Sequence, residues 1–492
     1  MGSVEAQIQG QPPRVVAAAK PSAKHVREDQ LAITEGGGER YGTSSACSFG
    51  LATDLDMPRL YTSSSRIRCL KSFWRLGEHD DFEQTVQETF RAKLDERFPD
   101  LSIKQLGWMN TVFRQENAPI LEVLLAWNHP QFDGAGAKVF HEDFPEMLNA
   151  ENRAYERTGL DDDTLTLPQA APLLPTPIEC LKRLPVDLKY LAKVVWEDIR
   201  PRFLDRDVSQ AAWSPIRSSP YKTQFRAFFM DNTSLLAILA LCRQNKTTIT
   251  GLIHGLALIA FSSHLDSTVA PGFQSSTIID HRRNLPQTTP GAPWARSDRA
   301  VANYVTQSFH KYDTELVARI RSKLPVDASE GRDLSADLRC ELWDVSARSR
   351  LEIVNRLEAG LRNDLVGGFK YVTDWQKTMK DQAKRTRQFS WLVTNIGVLD
   401  GNTSTSPSTT TTRSPTGGDS KPNDVQRWSI GRAQFGLSAE IPAAAIEFSP
   451  VSVAGRGMCV SASWPDCAVD AELGEGIMAD LERWLAQIAS QS

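Results

Sequence analysis

Apolar residues recur along the chain at two spacings, one typical of helices and one typical of strands. In the stretch 82–98, phenylalanine, valine and leucine recur every four positions, which predicts an amphipathic helix. The stretch 120–127 is an almost unbroken apolar run and predicts a buried strand. Apolar residues alternate with small or polar ones in 458–464, which predicts a further strand near the C-terminus.

The second half of the chain interleaves strands and helices in the same way. The predicted strands are QFRAFFM at 224–230, SSTIID at 275–280, VANYVTQSF at 301–309 and IEFSPVSV at 446–453. The predicted helices are 233–244, 248–261, most of 351–384 with a break near Gly367 and Gly368, and a closing helix over 473–485. Strands and helices that alternate in both halves imply an α/β chain of two lobes.

Composition predicts two lobes, a segment before the first lobe and a loop inside the second. Residues 1–45 are rich in Gly, Pro, Gln and Ala without periodicity, which predicts a disordered N-terminal arm. We place the first lobe at 46–215 and the second at 216–492, with a proline-rich crossing between them. Within the second lobe, the Ser/Thr/Pro-rich stretch 401–424 should form a disordered surface loop.

Charge and cysteine content narrow the functional classes. The formal net charge is −4 and no RRM, zinc-finger or basic-helix pattern is present, which argues against nucleic acid as a partner. The seven cysteines include no CxxC pair and suit reduced thiols in a cytoplasmic protein. Residues 247–265 are uncharged, but Gly251, His254 and Gly255 interrupt their short apolar centre. We therefore expect a buried core helix there and no membrane span.

The stretch AWNHPQFDGAGAKVF, residues 126–140, carries the candidate chemistry. His129 and Asp133 directly follow the predicted strand, four positions apart. Pro130 and Gly134 each come directly after one of these residues and disfavour a regular helix, so we predict a tight loop. In such a loop the imidazole can point toward a cavity while the carboxylate points into the protein. That arrangement suits a histidine base held by a structural aspartate.

The residues alone leave other interpretations of this stretch open. His129 fits an ordinary loop histidine, and His129, Asp133, His141 and Asp143 together contain the ligand types of a metal site. The metal site is disfavoured because His141 and Asp143 fall on the following helical run, where we expect a solvated face. A dinucleotide-binding fingerprint fails in GAGAKV because the third glycine is missing. The sequence contains no GxSxG, Walker A or HExxH motif, which weakens covalent and metal mechanisms.

Three motifs in a fixed order give the sequence a family resemblance. HPQFDG at 129–134, IDHRRNLP followed by ANYV between 279 and 305, and VTNIG at 393–397 resemble the HxxxDG acyltransferase superfamily in order and rough spacing. That superfamily includes chloramphenicol acetyltransferase, the plant BAHD enzymes, the condensation domains of peptide synthetases and the fungal alcohol acetyltransferases. The chain looks most like the fungal O-acetyltransferases of secondary metabolism, such as trichothecene 15-O-acetyltransferase.

The resemblance implies two chloramphenicol-acetyltransferase-like lobes, each a mixed sheet flanked by helices, with a tunnel at their interface. His129 would lie midway along the tunnel as the general base for an acceptor alcohol, with the acyl-CoA arriving from the other face. Asp133 would be structural and orient the loop. Thr394 and Asn395 would lie beside the reacting carbonyl as candidate oxyanion donors.

Departures from related families narrow the choice of acyl donor. The DFGWG motif of the plant enzymes is absent, with only AQFGLS at a similar place, and Asn128 stands where condensation domains carry a first histidine. No carrier domain or phosphopantetheine serine motif is present. The resemblance therefore favours free acetyl-CoA or another acyl-CoA as co-substrate, with no tightly bound cofactor and no metal.

The structural aspartate of the motif needs a partner. The superfamily keeps an arginine near this part of the chain, and we predict that Asp133 pairs with Arg282, two positions after Asp280 at the end of the STIID strand. Arg283 is the competing residue. Adjacent strand residues point to opposite faces, so only one of the two arginines should reach inward.

A basic stretch in the second lobe could contact the phosphates of coenzyme A. If residues 370–389 form one helix, its basic side chains include Lys380, Lys384 and Arg387. Such a run is more often a solvated helix face, and both interpretations stay open.

The sequence therefore predicts an acyl-CoA-dependent O-acyltransferase, by resemblance an acetyltransferase. Its acceptor would be a hydroxyl of a bulky apolar fungal metabolite such as a terpenoid, a polyketide or an alkaloid. N-acylation or transfer of a longer acyl chain on the same scaffold is one alternative, and a catalytically silent ligand-binding protein is another. The intact HxxxDG motif favours the enzyme. We expect a cytoplasmic monomer.

Overall fold

A computed structural model describes both predicted lobes. It describes residues 66–68, 71–76, 81–96, 107–116, 118–149, 160–161, 164–166, 175, 177–199, 207–217, 222–289, 292–325, 333–400, 428–439 and 442–491, together with the backbone of 44–49. The predicted loop at 401–424 and the predicted arm, apart from its last two residues, lie outside these ranges. Those two residues begin a strand, which corrects the boundary of the arm at that point.

Strands and helices alternate along the described chain. The strands are β1 (Ser44–Phe49), β2 (Arg66–Arg68), β3 (Lys71–Leu76), β4 (Trp108–Gln115), β5 (Leu121–Asn128), β6 (Leu160–Asp161), β7 (Thr164–Thr166), β8 (Thr223–Asp231), β9 (Phe273–Asp280), β10 (Thr288–Thr289), β11 (Ala292–Arg296), β12 (Val305–Tyr312), β13 (Trp391–Val393), β14 (Val398–Leu399), β15 (Gln434–Leu437), β16 (Ile446–Val453) and β17 (Gly457–Pro465). The helices are α1 (Phe82–Asp95), α2 (Gly134–Asn149), α3 (Ile178–Leu181), α4 (Leu188–Ile199), α5 (Asn232–Gln244), α6 (Ile249–His264), α7 (Thr314–Arg321), α8 (Ala336–Glu358), α9 (Leu365–Gly368), α10 (Trp375–Gln382) and α11 (Ala471–Ala489). Turns of 3₁₀ helix lie at Arg282–Asn284, Ser297–Arg299 and Phe369–Tyr371.

Two mixed sheets organise the molecule. The first has the order β3-β4-β5-β1-β15, with β3 parallel to β4 and the other neighbours antiparallel. The second has the order β12-β9-β13-β16-β17-β8, and β13 runs parallel to both of its neighbours. Helix α1 packs on the first sheet, and α5, α6 and α11 pack on the second. The predicted α/β class, with mixed sheets flanked by helices, is confirmed.

One strand from the second half of the chain completes the first sheet. Strand β15 pairs with β1, and Phe435 faces Cys47 in that ladder. Phe435 also stacks on Trp127, with ring centroids 6.3 Å apart. Trp127 and Phe435 belong to one apolar core that also contains Val451 and Cys459 of the second sheet. The two lobes therefore share a core, and β5, which ends at the HxxxDG motif, lies in it.

The uncharged stretch at 247–265 forms a buried core helix, as predicted. Every residue of α6 from Gly251 to Ser262 is buried. A methyl group at Gly251 would lie 2.6 Å from the carbonyl oxygen of Ser346, and one at Gly255 would lie 2.9 Å from that of Leu342. The two glycines thus allow α6 to approach α8 closely. Among the helices described, none has the length and apolar character needed to cross a membrane.

Two predicted helices differ from the structure in extent. The helix predicted over 82–98 ends at Asp95. The helix predicted from 351 belongs to α8, which begins 15 residues earlier at Ala336 and ends at Glu358. Just after it, Gly360 and Asn363 take positive φ angles of 59° and 51°, which a continuing α-helix cannot accommodate. The break therefore lies between Glu358 and Leu365, earlier than predicted, and Gly367 and Gly368 belong to the short helix α9. The rest of the predicted helical stretch forms short helices.

Candidate active site

Residues 129–133, here called the motif loop, connect β5 to α2 as a tight loop, as predicted. The N–H of Gln131 donates to the carbonyl of Asn128 at 3.0 Å, which closes a turn at the end of the strand. The indole N–H of Trp127 donates to the carbonyl of Phe132 at 2.8 Å, and the two rings stack 5.2 Å apart. The last two residues of β5 therefore hold both ends of the loop, Asn128 through Gln131 and Trp127 through Phe132.

The carboxylate of Asp133 is turned into the protein and is completely buried. Its Oδ1 accepts the N–H of Gly136 at 2.9 Å and so caps the first turn of α2. Its Oδ2 accepts the backbone N–H of Tyr304 at 2.9 Å. The N–H of Asp133 donates to the carbonyl of Ala302 at 3.2 Å. Through these bonds Asp133 stabilises the start of α2 and joins it to the segment 302–304.

Arg282 forms a two-pronged ion pair with Asp133. Its Nη1 lies 2.8 Å from Oδ2 and its Nη2 lies 2.8 Å from Oδ1. Nη1 also donates to Asp280 at 3.0 Å, and Nη2 donates to the carbonyls of Ala300 and Ala302 at 2.8 and 2.9 Å. Although burial opposes it, the neighbouring carboxylates raise the pKa of Arg282. The predicted contact is present, and its importance for activity stays a prediction.

Arg283 is exposed, and it is the neighbouring Arg282 that reaches inward. Both residues lie in the 3₁₀ turn that follows β9, not in the strand from which the alternation was argued. Successive side chains in a 3₁₀ helix point about 120° apart. The two arginines therefore diverge because of the turn, and the strand argument is corrected on that point.

A buried histidine–aspartate pair anchors this 3₁₀ turn. Nε2 of His281 lies 2.9 Å from Oδ2 of Asp364. The other oxygen of Asp364 accepts the Thr306 hydroxyl and the Val366 N–H, each at 2.9 Å, and Arg356 contacts the same carboxylate. Although burial opposes it, these hydrogen bonds lower the pKa of Asp364 to about 2. Asp364 thus ties the end of α8 to the turn beside the site.

Lowering the pH should weaken the fold through Asp364. Its pKa of about 2 in the folded protein lies below the ordinary value of 3.8, so its stabilising contribution is present above about pH 4 and is lost as the pH falls toward 2. The difference corresponds to about 2 kcal/mol of unfolding free energy. Urea unfolding at about pH 6 and about pH 3 should show a larger loss for the wild type than for Asp364→Asn, whose side chain does not titrate. Equal losses in the two proteins would contradict this account.

His129 is partly exposed, in contrast to the buried carboxylate of Asp133. Its backbone carbonyl accepts the side-chain amide of Asn303 at 3.1 Å, and the same amide nitrogen lies 3.4 Å from Nδ1 of its ring. The two motif side chains therefore differ in burial, the carboxylate being enclosed and the imidazole partly exposed. That the imidazole points toward a cavity stays a prediction.

The segment 394–397 approaches the motif loop from the second sheet. A methyl group at Gly134 would lie 2.6 Å from Cγ2 of Ile396. A side chain at the start of α2 would force Ile396 to move, which explains the glycine after the aspartate of the motif. The structure thus brings the VTNIG stretch against the HPQFDG stretch.

The two candidate oxyanion donors in this segment differ in their surroundings. Within the described part of the chain, the hydroxyl of Thr394 has no hydrogen-bond partner. The side chain of Asn395 donates to the Thr250 hydroxyl at 3.2 Å and accepts the N–H of Gly397 at 2.8 Å. The hydroxyl of Thr394 is therefore available to donate a hydrogen bond, whereas the side chain of Asn395 stabilises the turn at 395–397. Both roles stay predictions.

The basic stretch at 370–389 is not one helix. Lys380 is exposed on α10, and Lys384 follows that helix, 3.4 Å from Asp381. Arg387 is buried, and its guanidinium donates to backbone carbonyls, among them those of Ser214 at 2.9 Å and Ala443 at 2.6 Å. Burial lowers the pKa of Arg387 to about 10. This placement contradicts the predicted phosphate contact of Arg387, because its donors are enclosed by protein.

The residues after the motif loop do not form a metal site. Asp143 pairs with Arg299. His141 is buried, not part of the solvated face predicted for it, and burial lowers its pKa. In the ranges that the structure describes, no group of three or more His, Cys, Asp or Glu side chains is arranged to hold a metal ion.

A cavity of about 350 Å³ lies where β8, β16 and β17 meet residues 431–433. Phe229, Met230, Arg432 and Cys459 are among its lining residues. His129 does not line this cavity, so it is not the predicted tunnel past the motif histidine. That tunnel stays a prediction.

Sequence reasoning missed the role of residues 301–304. It predicted a strand from 301, but β12 begins at Val305. The preceding backbone groups are instead bonded to Asp133 and Arg282, which keeps them out of the ladder. The available signal was Asn303 itself, a single polar residue within the otherwise apolar run 301–305.

Known proteins resemble this chain in sequence and in fold. No family model matches it. It is 23% identical over 419 residues to a protein of Fusarium pseudograminearum (strain CS3096) named "Probable alcohol acetyltransferase", and the match covers 83% of this chain and 76% of the relative. The structure of trichothecene 15-O-acetyltransferase from Fusarium sporotrichioides has a TM-score of 0.52 at 13% identity, with coverages of 84% and 76%.

A condensation domain has the same fold. The first condensation domain of the calcium-dependent antibiotic synthetase has a TM-score of 0.50 at 12% identity, and the match covers 95% of this chain and 94% of that one. These comparisons confirm the predicted two-lobed fold and the resemblance to the superfamily of acyltransferases and condensation domains.

Proposed function

We propose that this protein is an acyl-CoA-dependent O-acyltransferase, specifically an acetyltransferase, with His129 as its general base. The main observation in support is that the two motif side chains differ in their surroundings. Asp133 is buried and held by Arg282, while His129, four positions earlier, stays accessible. Histidine is the side chain most often used to take a proton from an alcohol during attack. The name of the Fusarium relative supports acetyl transfer to an alcohol.

The chemical step needs no covalent enzyme intermediate. The His129 imidazole takes the hydroxyl proton as the alcohol oxygen forms a bond to the thioester carbonyl carbon. The carbonyl oxygen becomes an oxyanion, for which the uncommitted Thr394 hydroxyl is the donor we favour. When the oxyanion collapses, the carbon–sulfur bond breaks and the imidazolium returns its proton to the coenzyme A thiolate. Ester and free thiol leave, and the histidine is neutral again.

The acceptor we propose is a hydroxyl of an apolar fungal secondary metabolite such as a terpenoid, including the trichothecenes, a polyketide or an alkaloid. Lys380 and Lys384 are proposed contacts for coenzyme A phosphates, since both lie at the surface. The test is incubation with acetyl-CoA and a panel of hydroxylated terpenoids, polyketides and indole alkaloids. A mass gain of one acetyl group is the expected result. Hydrolysis of acetyl-CoA without any acylated product would reject the proposal.

Steady-state kinetics should show a ternary complex, because direct attack requires the alcohol and the thioester to be bound together. Two of the described cysteines, Cys242 and Cys459, are buried, and burial raises the pKa of each thiol, to about 12 for Cys242. Neither is suited to be an acyl-accepting nucleophile. Double-reciprocal plots at several fixed concentrations of the second substrate should therefore intersect.

A covalent route would give the opposite pattern. Parallel double-reciprocal lines, together with acetylated protein trapped in the absence of acceptor, would contradict direct transfer. Intact-protein mass spectrometry after incubation with acetyl-CoA alone separates the two cases.

A further inference from the structure

The backbone on either side of Asn303 is fixed by the motif loop. The carbonyl of Ala302 accepts the N–H of Asp133 at 3.2 Å, and the N–H of Tyr304 donates to the Asp133 carboxylate at 2.9 Å. Between these two bonds, the side chain of Asn303 reaches across to His129. The contacts that hold Asp133 therefore also set the point from which the Asn303 side chain starts.

We propose that Asn303 is a positioning residue that orients His129 for proton transfer, an inference that rests on the proposed function. The amide nitrogen of Asn303 lies 3.1 Å from the carbonyl oxygen of His129, which is a hydrogen-bond distance. A carbonyl oxygen only accepts, so the amide must donate there. The 3.4 Å separation from Nδ1 places that edge of the imidazole against Asn303. Nε2 is then the ring nitrogen left to meet the acceptor hydroxyl.

The chemical nature of the Asn303 side chain also affects the charge of the ring. For Nε2 to take a proton, the neutral imidazole must carry its own proton on Nδ1. With that proton in place, the Asn303 nitrogen at 3.4 Å can only contact this edge and cannot donate to it, so the hydrogen bond that orients His129 is the one to its carbonyl oxygen. The amide nitrogen also offers an imidazolium no acceptor at this edge. A carboxylate in the same place would stabilise the imidazolium and raise the pKa of His129. The amide of Asn303 thus holds the residue without placing a negative charge beside the ring.

Two substitutions separate orientation from charge. Asn303→Ala removes the contact and should lower kcat by about 10-fold to 100-fold, because a misplaced catalytic group is costly. The KM of each substrate should stay within about twofold, since Asn303 acts on the histidine. Asn303→Asp also removes the donor to the His129 carbonyl, because an ionised carboxylate only accepts, so its kcat should fall as well. Its added negative charge should in addition move the acid limb of the pH profile of kcat/KM to higher pH by about one unit, which Asn303→Ala should not do.

Asn355 provides matched controls. It is exposed on α8, and within the described residues its side chain contacts neither the motif loop nor Asn303. Asn355→Ala and Asn355→Asp make the same chemical changes and should leave both kcat and the pH profile as in the wild type. Melting temperatures of all four variants show whether any loss of activity comes from unfolding.

Titration of His129 by NMR tests the charge argument without any turnover. The protein carries eight histidines, and the His129 resonance is identified by its loss in His129→Gln. We expect Asn303→Asp to raise the titration midpoint of His129 by about one pH unit. An unchanged midpoint in Asn303→Asp, or wild-type kcat in Asn303→Ala, would overturn the positioning role. Absence of acetyl transfer by the wild type would instead reject the proposed function, while the NMR result would still decide this inference.

Discussion

His129→Ala should lower kcat by a factor on the order of 10² to 10⁴, the usual loss when a general base is removed. The fold should survive, because the side chain is partly exposed and its one described hydrogen-bonding neighbour is Asn303. Activity with the acceptor found in the panel is the first measurement, and the melting temperature is the second. We expect a large drop in the first and little change in the second.

The control for this substitution is another partly exposed histidine. His264 lies on α6 and pairs with Asp480 of α11 at 2.8 Å, with no contact to the motif loop among the described residues. His264→Ala should keep its kcat, although it can lose some stability. Near wild-type turnover in His129→Ala, with the same acceptor, would remove the histidine from the mechanism. The remaining acceleration would then have to come from binding and orientation alone.

Local sequence signals were sufficient to predict the motif loop. The apolar run predicted the buried strand β5. The proline after His129 and the glycine after Asp133 disfavoured a continuous helix. The partner of Asp133 could not be derived in that way, since Arg282 lies 149 positions away. It came from the family resemblance, and the argument that selected it over Arg283 assumed a strand where the chain forms a 3₁₀ turn.

The sequence could not predict which side chains are buried by segments that lie far away along the chain. Arg387 lies in a basic stretch, and the sequence suggests a surface residue. Its guanidinium instead donates to the carbonyls of Ser214 and Ala443, one from an earlier and one from a later segment of the chain. Strand β15 was not predicted, and its ladder joins Leu437 to Ser45, which lie at opposite ends of the sequence. Asn303 was overlooked for the same reason, since its partner His129 is 174 residues away.

Breaking the pair of Asp133 and Arg282 from one side should cost about 3 to 5 kcal/mol of stability, because it leaves a buried charge uncompensated. The side chains are 1% and 5% exposed, so water can do little to replace the lost partner. The two single variants should differ. Asp133→Ala leaves Arg282 with Asp280 at 3.0 Å, whereas Arg282→Ala leaves the carboxylate with backbone N–H donors only. We therefore expect Arg282→Ala to lose more stability.

The same reasoning fixes a pH dependence for Arg282→Ala. Without the guanidinium, burial should raise the pKa of Asp133 above its unfolded value, and a raised carboxyl pKa favours the folded state as the pH falls. The stability deficit of Arg282→Ala relative to wild type should therefore shrink between about pH 8 and about pH 5. Urea unfolding at both pH values measures it. A deficit that grows toward low pH would mean that Asp133 is not the group left uncompensated.

Activity should fall with stability in both single variants, because Asp133 also caps α2 and thereby sets the loop that carries His129. Arg283→Ala is the matched control, since Arg283 is the exposed neighbour in the same turn and should behave as the wild type. The double variant Asp133→Ala/Arg282→Ala completes a mutant cycle measured by unfolding free energy and kcat. For a true pair, the double variant loses less than the sum of the single losses, because the second removal takes away a charge that already lacks its partner. If the losses simply add, or if Arg282→Ala matches Arg283→Ala, the ion pair does not hold the motif loop, and the orientation of His129 must depend on Asn303 and the strand end alone.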